Sequence, residues 1–257
     1  MSTTDAAETP TLRAPAKLTF ELRVTGVRPD GFHLIDAEMA SLALHDTVRI
    51  RPGGAGISAI GPHAAGVPDD ESNLVARALR HVGRSIEDTA VELDKRIPHG
   101  GGLGGGSTDA AAVLRWGGVG TSPEELARAA AIGADIAFCL VGGRARVRGI
   151  GEVVEPLPPI ERVVTLVIPP LIVSTPAVYR AWDDLGGPTA AGPNDLEPAA
   201  LAAEPQLRRW RDLIGERAGD APVLAGSGAT WFVPGARANA LADLIDEGAE
   251  VIETTTV

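Results

Sequence analysis

Cysteine occurs once in the 257 residues, as Cys139. One thiol excludes an internal disulfide framework and a clustered-cysteine zinc site. The apolar neighbours Phe138 and Leu140 point to a buried structural thiol rather than a reactive one. No apolar run approaches the ~20 residues of a membrane span. The polar start MSTTDAAETPT does not resemble a signal peptide. Excess positive charge is missing too: the net charge is −11, which argues against broad nucleic-acid or membrane-surface binding and leaves room only for a local basic pocket. These absences describe a soluble, cytoplasmic protein. Lysine is scarce: Lys17 and Lys95 stand alone, and the other 21 of the 23 basic residues are arginine. Lysine at just those positions hints that arginine's wide fork is unacceptable there. Internal repeats and low-complexity segments are absent as well. Otherwise, 44% hydrophobic and 22% charged residues are ordinary for a globular chain, long enough to bury a sizeable core as one large domain or two small ones.

What the chain does have is a glycine run, PHGGGLGGGSTDAAA, from Pro98 to Ala112. Glycine lets the backbone take positive φ and approach a ligand with no Cβ in the way. Ser107, Thr108 and Asp109 suit a helix N-terminus, where free N–H groups and the dipole attract anions. Leu103 in the middle and an immediate helix start argue for a phosphate-binding loop over a flexible linker. The loop lacks the lysine of the G-x-x-x-x-G-K-[ST] pattern. The dinucleotide G-x-G-x-x-G, which Gly101 to Gly106 satisfy in some registers, has no acidic ribose ligand to support it.

Alternation of apolar and polar residues predicts strands over 12–24 and 34–50, joined by a hairpin-like connection over 25–31. Residues 52–70 read as loop with at most a short strand. Ser72 is expected to cap a helix reaching about Gly83, and 88–96 to form a strand leading into the glycine run. One helix then extends to about Trp116, and a second starts at Ser122, whose spacing to Glu125 is a capping box. Strands follow at 144–149 and 162–169. The remainder reads as helices near 175–183, 195–203 and 205–217, strands at 221–225 and 229–234, a helix over 235–247 and a last strand over 249–256. Strands and helices without strict alternation indicate an α+β fold of two lobes.

Three further places could carry chemistry. Lys17 lies inside an apolar strand, where it is either an edge lysine with its head in water or a functional cation. Asp135 lies in an apolar run, as a cap or turn residue or as a carboxylate facing a ligand. Glycines in LAGSGAT at 224–230 form either a plain hairpin turn or a site of close approach.

Together these segments resemble the GHMP kinase superfamily, named for galactokinase, homoserine, mevalonate and phosphomevalonate kinases. The resemblance runs through APAKLTF (14–20), RPDGFH (28–33), SNLVARA (72–78), IPHGGGLGGGSTDAAA (97–112), GADIAFCLVGGRA (133–145), RGIGE (148–152), STPAVYRAW (174–182), PNDLE (193–197) and LAGSGATWF (224–232). The glycine run specifies the superfamily; GFH and NDLE narrow it to the branch that acts on a cytidine-diphosphate-linked polyol.

That resemblance implies a two-lobed α+β fold with the active site in the cleft between lobes. Residues 1–11 would be a disordered tail. Residues 12–160 would form a ribosomal-protein-S5-like, ATP-binding N-terminal lobe, and 161–257 a ferredoxin-like C-terminal lobe. It implies ATP as phosphoryl donor, Mg²⁺, and transfer to the 2-hydroxyl of 4-diphosphocytidyl-2-C-methyl-D-erythritol in the non-mevalonate isoprenoid pathway. Asp135 would be the catalytic base and Lys17 its partner. Gly100, Gly101, Gly102, Leu103, Gly104, Gly105 and Gly106 would wrap the phosphates, with Ser107 and Thr108 touching phosphate and Ser107 reaching Mg²⁺. Asn73 and the segment Lys95 to Pro98 would line the adenine pocket. Phe32 and His33 would hold the cytosine, and Gly226, Ser227 and Gly228 would form a tight turn at the bound substrates. Asp135 and Thr19 would contact the acceptor. The protein would act on this small molecule as a monomer or weak homodimer.

The chain departs from the family pattern at three places: Thr19 replaces an asparagine, Phe32 replaces a tyrosine, and the segment after Leu114 is shortened around Gly117 and Gly118. Two other readings remain: a homoserine or mevalonate type of kinase, which has no cytosine to stack, and a catalytically silent nucleotide-binding paralogue.

Overall fold

The computed structural model describes residues 10–257, so the expected tail lies, but for its last two residues, outside the described residues. Two long strands, β1 (Thr11–Val27) and β2 (His33–Pro52), pair antiparallel around the hairpin and organise the N-terminal half. Their register shifts between Pro15 and Lys17 and again between Thr19 and Glu21, so irregularities bracket the Lys17–Thr19 segment. Such bulges bend a strand and re-aim its side chains. Next come β3 (Ile57–Ile60), helix α1 (Leu74–His81), β4 (Thr89–Asp94), helices α2 (Gly105–Trp116), α3 (Pro123–Ile132) and α4 (Ile136–Val141), then β5 (Arg144–Gly149) and β6 (Val153–Leu157). The sheet runs β3-β4-β2-β5-β6 with β1 also on β2, and only β3 is parallel to its neighbour, β4. Helix α2 lies against the β1–β2 pair and buries Ala110, Ala111, Ala112, Val113 and Leu114. The alanines allow that close approach.

The C-terminal half contains β7 (Val163–Ile168), helices α5 (Thr175–Asp184), α6 (Glu197–Ala203) and α7 (Gln206–Ala218), then β8 (Val223–Leu224), β9 (Trp231–Pro234) and β10 (Glu250–Thr255). Its sheet, β10-β7-β9-β8, is antiparallel throughout.

Four expectations are corrected. Asn73, not Ser72, caps α1 by accepting the Val75 N–H, while Ser72 turns to Asp70. Helix α4 and strand β6 were not anticipated: α4 has only six residues, too few for a helical period to register. The helix expected over 235–247 shrinks to one 3-10 turn, Ala242–Ile245. Its two buried anchors, Leu241 and Leu244, are three residues apart, the period of a 3-10 turn rather than of a long amphipathic helix. The capping box at Ser122 and Glu125 is present, with both of its hydrogen bonds.

At the glycine run the halves meet in a compact apolar cluster. Ala16 and Leu18 of β1, Leu42 of β2, Ile97 and Leu103 meet Val164, Leu166 and Ile168 of β7, Ala225 and Phe232. Leu103 thus anchors the glycine run between the two sheets, which a linker would not do. We expect Leu103→Ala to lose about 2–5 kcal/mol of unfolding free energy in a denaturant titration; a loss below about 1 kcal/mol would contradict this anchoring role.

Candidate active site

The glycine run bends because its residues take conformations and contacts that a side chain would block. Gly100, Gly102 and Gly104 all have φ near +75°. A Cβ at Gly104 would come 2.7 Å from Lys17 Cγ, and one at Gly102 would come 2.9 Å from the Ala225 carbonyl oxygen. The loop is therefore pressed against both the β1 lysine and the glycine turn of the C-terminal half. Lys17 N–H donates to the Leu103 carbonyl at 2.9 Å, fixing strand to loop. Helix α2 then starts from Gly104 with no side-chain cap and no acidic residue in its first turn. Its leading N–H groups are free for an anion.

A cavity of about 340 Å³ on the sheet's outer side, beside Arg49 and Arg51, holds none of the candidate groups. A larger one, of about 500 Å³, follows the loop. It starts between Val67, Asn73 and Pro98, passes Gly104, Gly105, Gly106 and Ser107, and ends at Asp135. Thr108 is not on its wall. That residue is buried on the inner face of α2, so its hydroxyl does not reach the cavity where Ser107 does. Asn73 lines the cavity, but its amide is engaged with the Val75 N–H and, as donor, with the Pro68 carbonyl.

At the cavity's far end, Lys17 Nζ lies 3.5 Å from Asp135 Oδ2. The lysine side chain is 6% exposed and the aspartate 34%. Lys17 therefore does not extend its head into bulk water. Asp135 does precede α4, but its carboxylate makes no cap bond and stays free for chemistry. The Lys17 ammonium also donates to Thr19 Oγ1 at 3.4 Å. Gly226 lies alongside, where an added Cβ would be 3.7 Å from Lys17 Nζ. Ser227 Oγ pairs with Thr175 Oγ1 at 2.7 Å.

Beyond Asp135 stands Tyr179 of α5, the chain's one tyrosine, which the sequence reading did not single out. Burial and then the charge of Asp135 push its phenol up to about 12. The His33 ring packs 4.6 Å from the Tyr179 ring and edge-on to Trp182, and its Nε2 pairs with Asp183 Oδ1 at 2.8 Å. Phe32 is no core residue. It is 57% exposed, with the Arg28 guanidinium 5.8 Å from its ring centre.

Under the loop lies a second feature, which no local sequence pattern marks. The Lys95 ammonium is buried between Asp46 and Asp109 Oδ2. Asp46 Oδ1 also accepts the N–H groups of Arg96 and Ile97. Burial opposes the charge on Lys95, yet the two carboxylates outweigh it and hold its pKa above the ordinary value. Burial pushes Asp109 up to about 7 against the pull of Lys95, with Asp46 adding to the rise. Lys95 does border the cavity, but its ammonium is committed inward. A single compact ammonium serves both carboxylates here, at one of the two places where lysine stands in an otherwise arginine-based chain. The thiol of Cys139 is buried and pushed up to about 12 by that burial, as a structural cysteine should be.

A glycine cradle at a bare helix start, leading to a paired lysine and aspartate, has the parts that phosphoryl transfer to a small molecule needs. A GHMP kinases N terminal domain profile matches residues 73–143. The chain is 38% identical over 238 residues to the 4-diphosphocytidyl-2-C-methyl-D-erythritol kinase of Paracoccus denitrificans, covering 85% of this chain and 84% of that one. It is 40% identical over 250 residues to the enzyme of the same name from Dinoroseobacter shibae, covering 85% and 83%. The crystal structure of a 4-(cytidine 5'-diphospho)-2C-methyl-D-erythritol kinase superposes with a TM-score of 0.74 at 29% identity, covering 96% of this chain and 98% of that one. A homoserine kinase from Cytophaga hutchinsonii shares the fold, with a TM-score of 0.65 at 18% identity, covering 100% and 97%. The protein is thus a kinase with the two-lobed α+β GHMP fold. It belongs to the 4-diphosphocytidyl-2-C-methyl-D-erythritol kinase family.

Replacing Lys95 with methionine would strand two buried carboxylates. We expect Lys95→Met to lose about 3–5 kcal/mol of stability at pH 8. A carboxylate whose folded-state pKa is raised is stabilised below its ordinary value of 3.8, and that contribution falls away as pH rises toward about 7. Without Lys95 the rise is larger, so the loss relative to wild type should shrink between pH 8 and pH 5. Urea titrations at both values would show it, and a pH-independent loss would contradict the assignment.

Proposed function

We propose that this chain transfers the γ-phosphoryl group of ATP to the 2-hydroxyl of 4-diphosphocytidyl-2-C-methyl-D-erythritol, a step of the non-mevalonate isoprenoid route. The observation that carries the reading is the Lys17–Asp135 pair at 3.5 Å, set at the end of the glycine-loop cavity. ATP would lie along that cavity, adenine toward Asn73 and Pro98 and phosphates over Gly104, Gly105, Gly106 and Ser107. The acceptor hydroxyl would enter between Asp135 and the terminal phosphate. Its oxygen forms the new P–O bond, Asp135 takes the hydroxyl proton, and ADP leaves with the electrons of the broken bond. Lys17 keeps Asp135 ionised beforehand and steadies the acceptor oxygen.

The residues present fit a magnesium ion that arrives with the phosphates. No group of three or more His, Cys, Asp or Glu side chains among the described residues forms a metal cage. Mg²⁺ in such sites is held mainly by substrate phosphates and water, with one or two protein oxygens. Ser107 on the cavity wall would be such an oxygen. When bound, the ion neutralises charge on the transferring phosphoryl group.

The cytidyl end would sit near His33 and Tyr179, with Phe32 closing over it. His33 and Tyr179 form the aromatic wall that favours this acceptor over homoserine or mevalonate, which carry no ring to stack. The free Asp135 carboxylate favours an active enzyme over a silent paralogue.

Asp135→Asn should cut kcat by a factor of about 10²–10⁴, the range for a positioned general base, with ATP affinity near wild type. A coupled ADP-release assay beside a nucleotide titration tests it, and undiminished turnover would remove Asp135 from the base role. Phe32→Ala should raise the KM for the cytidyl acceptor by an amount worth about 1–3 kcal/mol. Steady-state kinetics with an unchanged KM would take Phe32 out of the cytosine site.

A further inference from the structure

The PNDLE segment ahead of α6 holds two adjacent buried side chains that face opposite ways. Asn194 turns toward the glycine turn of the C-terminal half. Its Nδ2 donates to the Leu224 carbonyl at 2.9 Å and to the Gly226 carbonyl at 2.7 Å, while its Oδ1 accepts the Leu196 N–H at 2.9 Å. Every polar position of the amide but one oxygen lone pair is used. Asp195 turns toward β1 instead. It accepts from Arg23 Nη1, from the Val24 N–H and from the Ala190 N–H. The segment's backbone is also fixed to β1, because the Leu22 N–H donates to the Pro193 carbonyl and the Asp195 N–H to the Leu22 carbonyl, both at 2.9 Å.

The turn that Asn194 grips touches both reacting partners' supports. Gly226 borders Lys17 and Thr19, and the Ala225 and Gly228 carbonyls press on Gly102 of the phosphate loop. One amide therefore ties the β1 strand that carries Lys17 to the turn that sits between Lys17 and the loop. We propose that Asn194 is a positioning residue for phosphoryl transfer, holding the 224–228 turn in register with Lys17 and Gly102. The role rests on the kinase reading above. Binding of the nucleotide and of the cytidyl group draws on remote parts of the cleft, so a displaced turn misaligns the reacting centre and shows in kcat more than in KM.

The test compares substitutions at these two adjacent positions in the whole 257-residue chain. In Asn194→Ser the hydroxyl still serves the Leu196 N–H as a short polar side chain does at a turn, but it is too short to span both carbonyls. Asn194→Asp, isosteric, sets an acceptor against the same carbonyls and serves if the serine variant does not fold. Asp195→Asn weakens the anchorage to β1 and leaves the turn's amide alone. Rates are measured below each variant's melting temperature, alongside hydrogen exchange of the amides at residues 226–228. The expected result is a kcat loss on the order of 100-fold for the Asn194 variants, KM values for both substrates within about 3-fold, and faster exchange at 226–228. Asp195→Asn should lower the melting temperature with kcat within about 2-fold of wild type. Unchanged exchange at 226–228, or an equal kcat loss in Asp195→Asn, would overturn the proposal. A wild-type protein that does not phosphorylate the cytidyl acceptor would overturn the proposed acceptor instead, and the exchange measurement would still decide whether Asn194 holds the turn.

Discussion

Everything in the site depends on how closely three stretches of backbone can approach one another around Lys17. The aliphatic stem of Lys17 runs across Gly104, and its ammonium stands beside Gly226. Gly102 fills the space between the loop and the carbonyls of the turn. A methyl group at Gly102 or Gly104 would push two of these segments apart by an amount that matters at a reacting centre, where a displacement of about 1 Å is felt as a large rate loss. The apolar cluster around Leu103 supplies the force that keeps the segments together, and the glycines set the distance at which they stop.

That arrangement also resolves an apparent conflict in charge. The chain carries −11 overall, yet the proposed function asks it to hold highly anionic ligands. It has no lysine within the helix start to attract phosphates, and Lys95, which lies against Gly105, is committed to Asp46 and Asp109. Attraction has to come from the free N–H groups at the start of α2 and from a cation brought in with the phosphates. Lys95 does a different job. It joins the end of β4 to β2 and α2 through charges that would be intolerable unpaired, and so fixes the angle at which α2 presents its N-terminus.

Local features were legible in the sequence where one residue type decides them. The glycine run, the capping box at Ser122 and the alternation of β1 and β2 each rest on short-range physics, and each is found in the structure. The contact between Lys17 and Asp135 was legible only through family resemblance, since 118 positions separate them and no periodicity links them. The Asp46–Lys95–Asp109 cluster, the Tyr179 ring and the grip of Asn194 on the turn were not legible as geometry. Each is a tertiary contact whose partners come from different elements, and no local spacing or periodicity marks those partners in the sequence. The over-long helix expected at 235–247 has the same origin. Its composition favours a helix, but only Leu241 and Leu244 find a buried place, and packing rather than propensity decides such segments.

Thr19, where the family has asparagine, finds its meaning in the donors of Lys17. An ammonium has three N–H bonds and accepts nothing. One is directed to Thr19 Oγ1 at 3.4 Å, and a second faces Asp135 at 3.5 Å. A third is left over, and in the proposed reaction it would meet the acceptor oxygen. An asparagine carbonyl could take the same bond as Thr19, but its amide would add donors that compete for the same incoming oxygen. Threonine keeps the one function the lysine needs, a fixed acceptor that aims its ammonium. Because both contacts are at the long end of their range, the lysine is free to shorten either when the acceptor arrives. Asp135, a third exposed, is then the group whose environment changes most as the cleft fills. In the proposed reaction Asp135 is the proton acceptor, and its Oδ2 is the oxygen already facing Lys17.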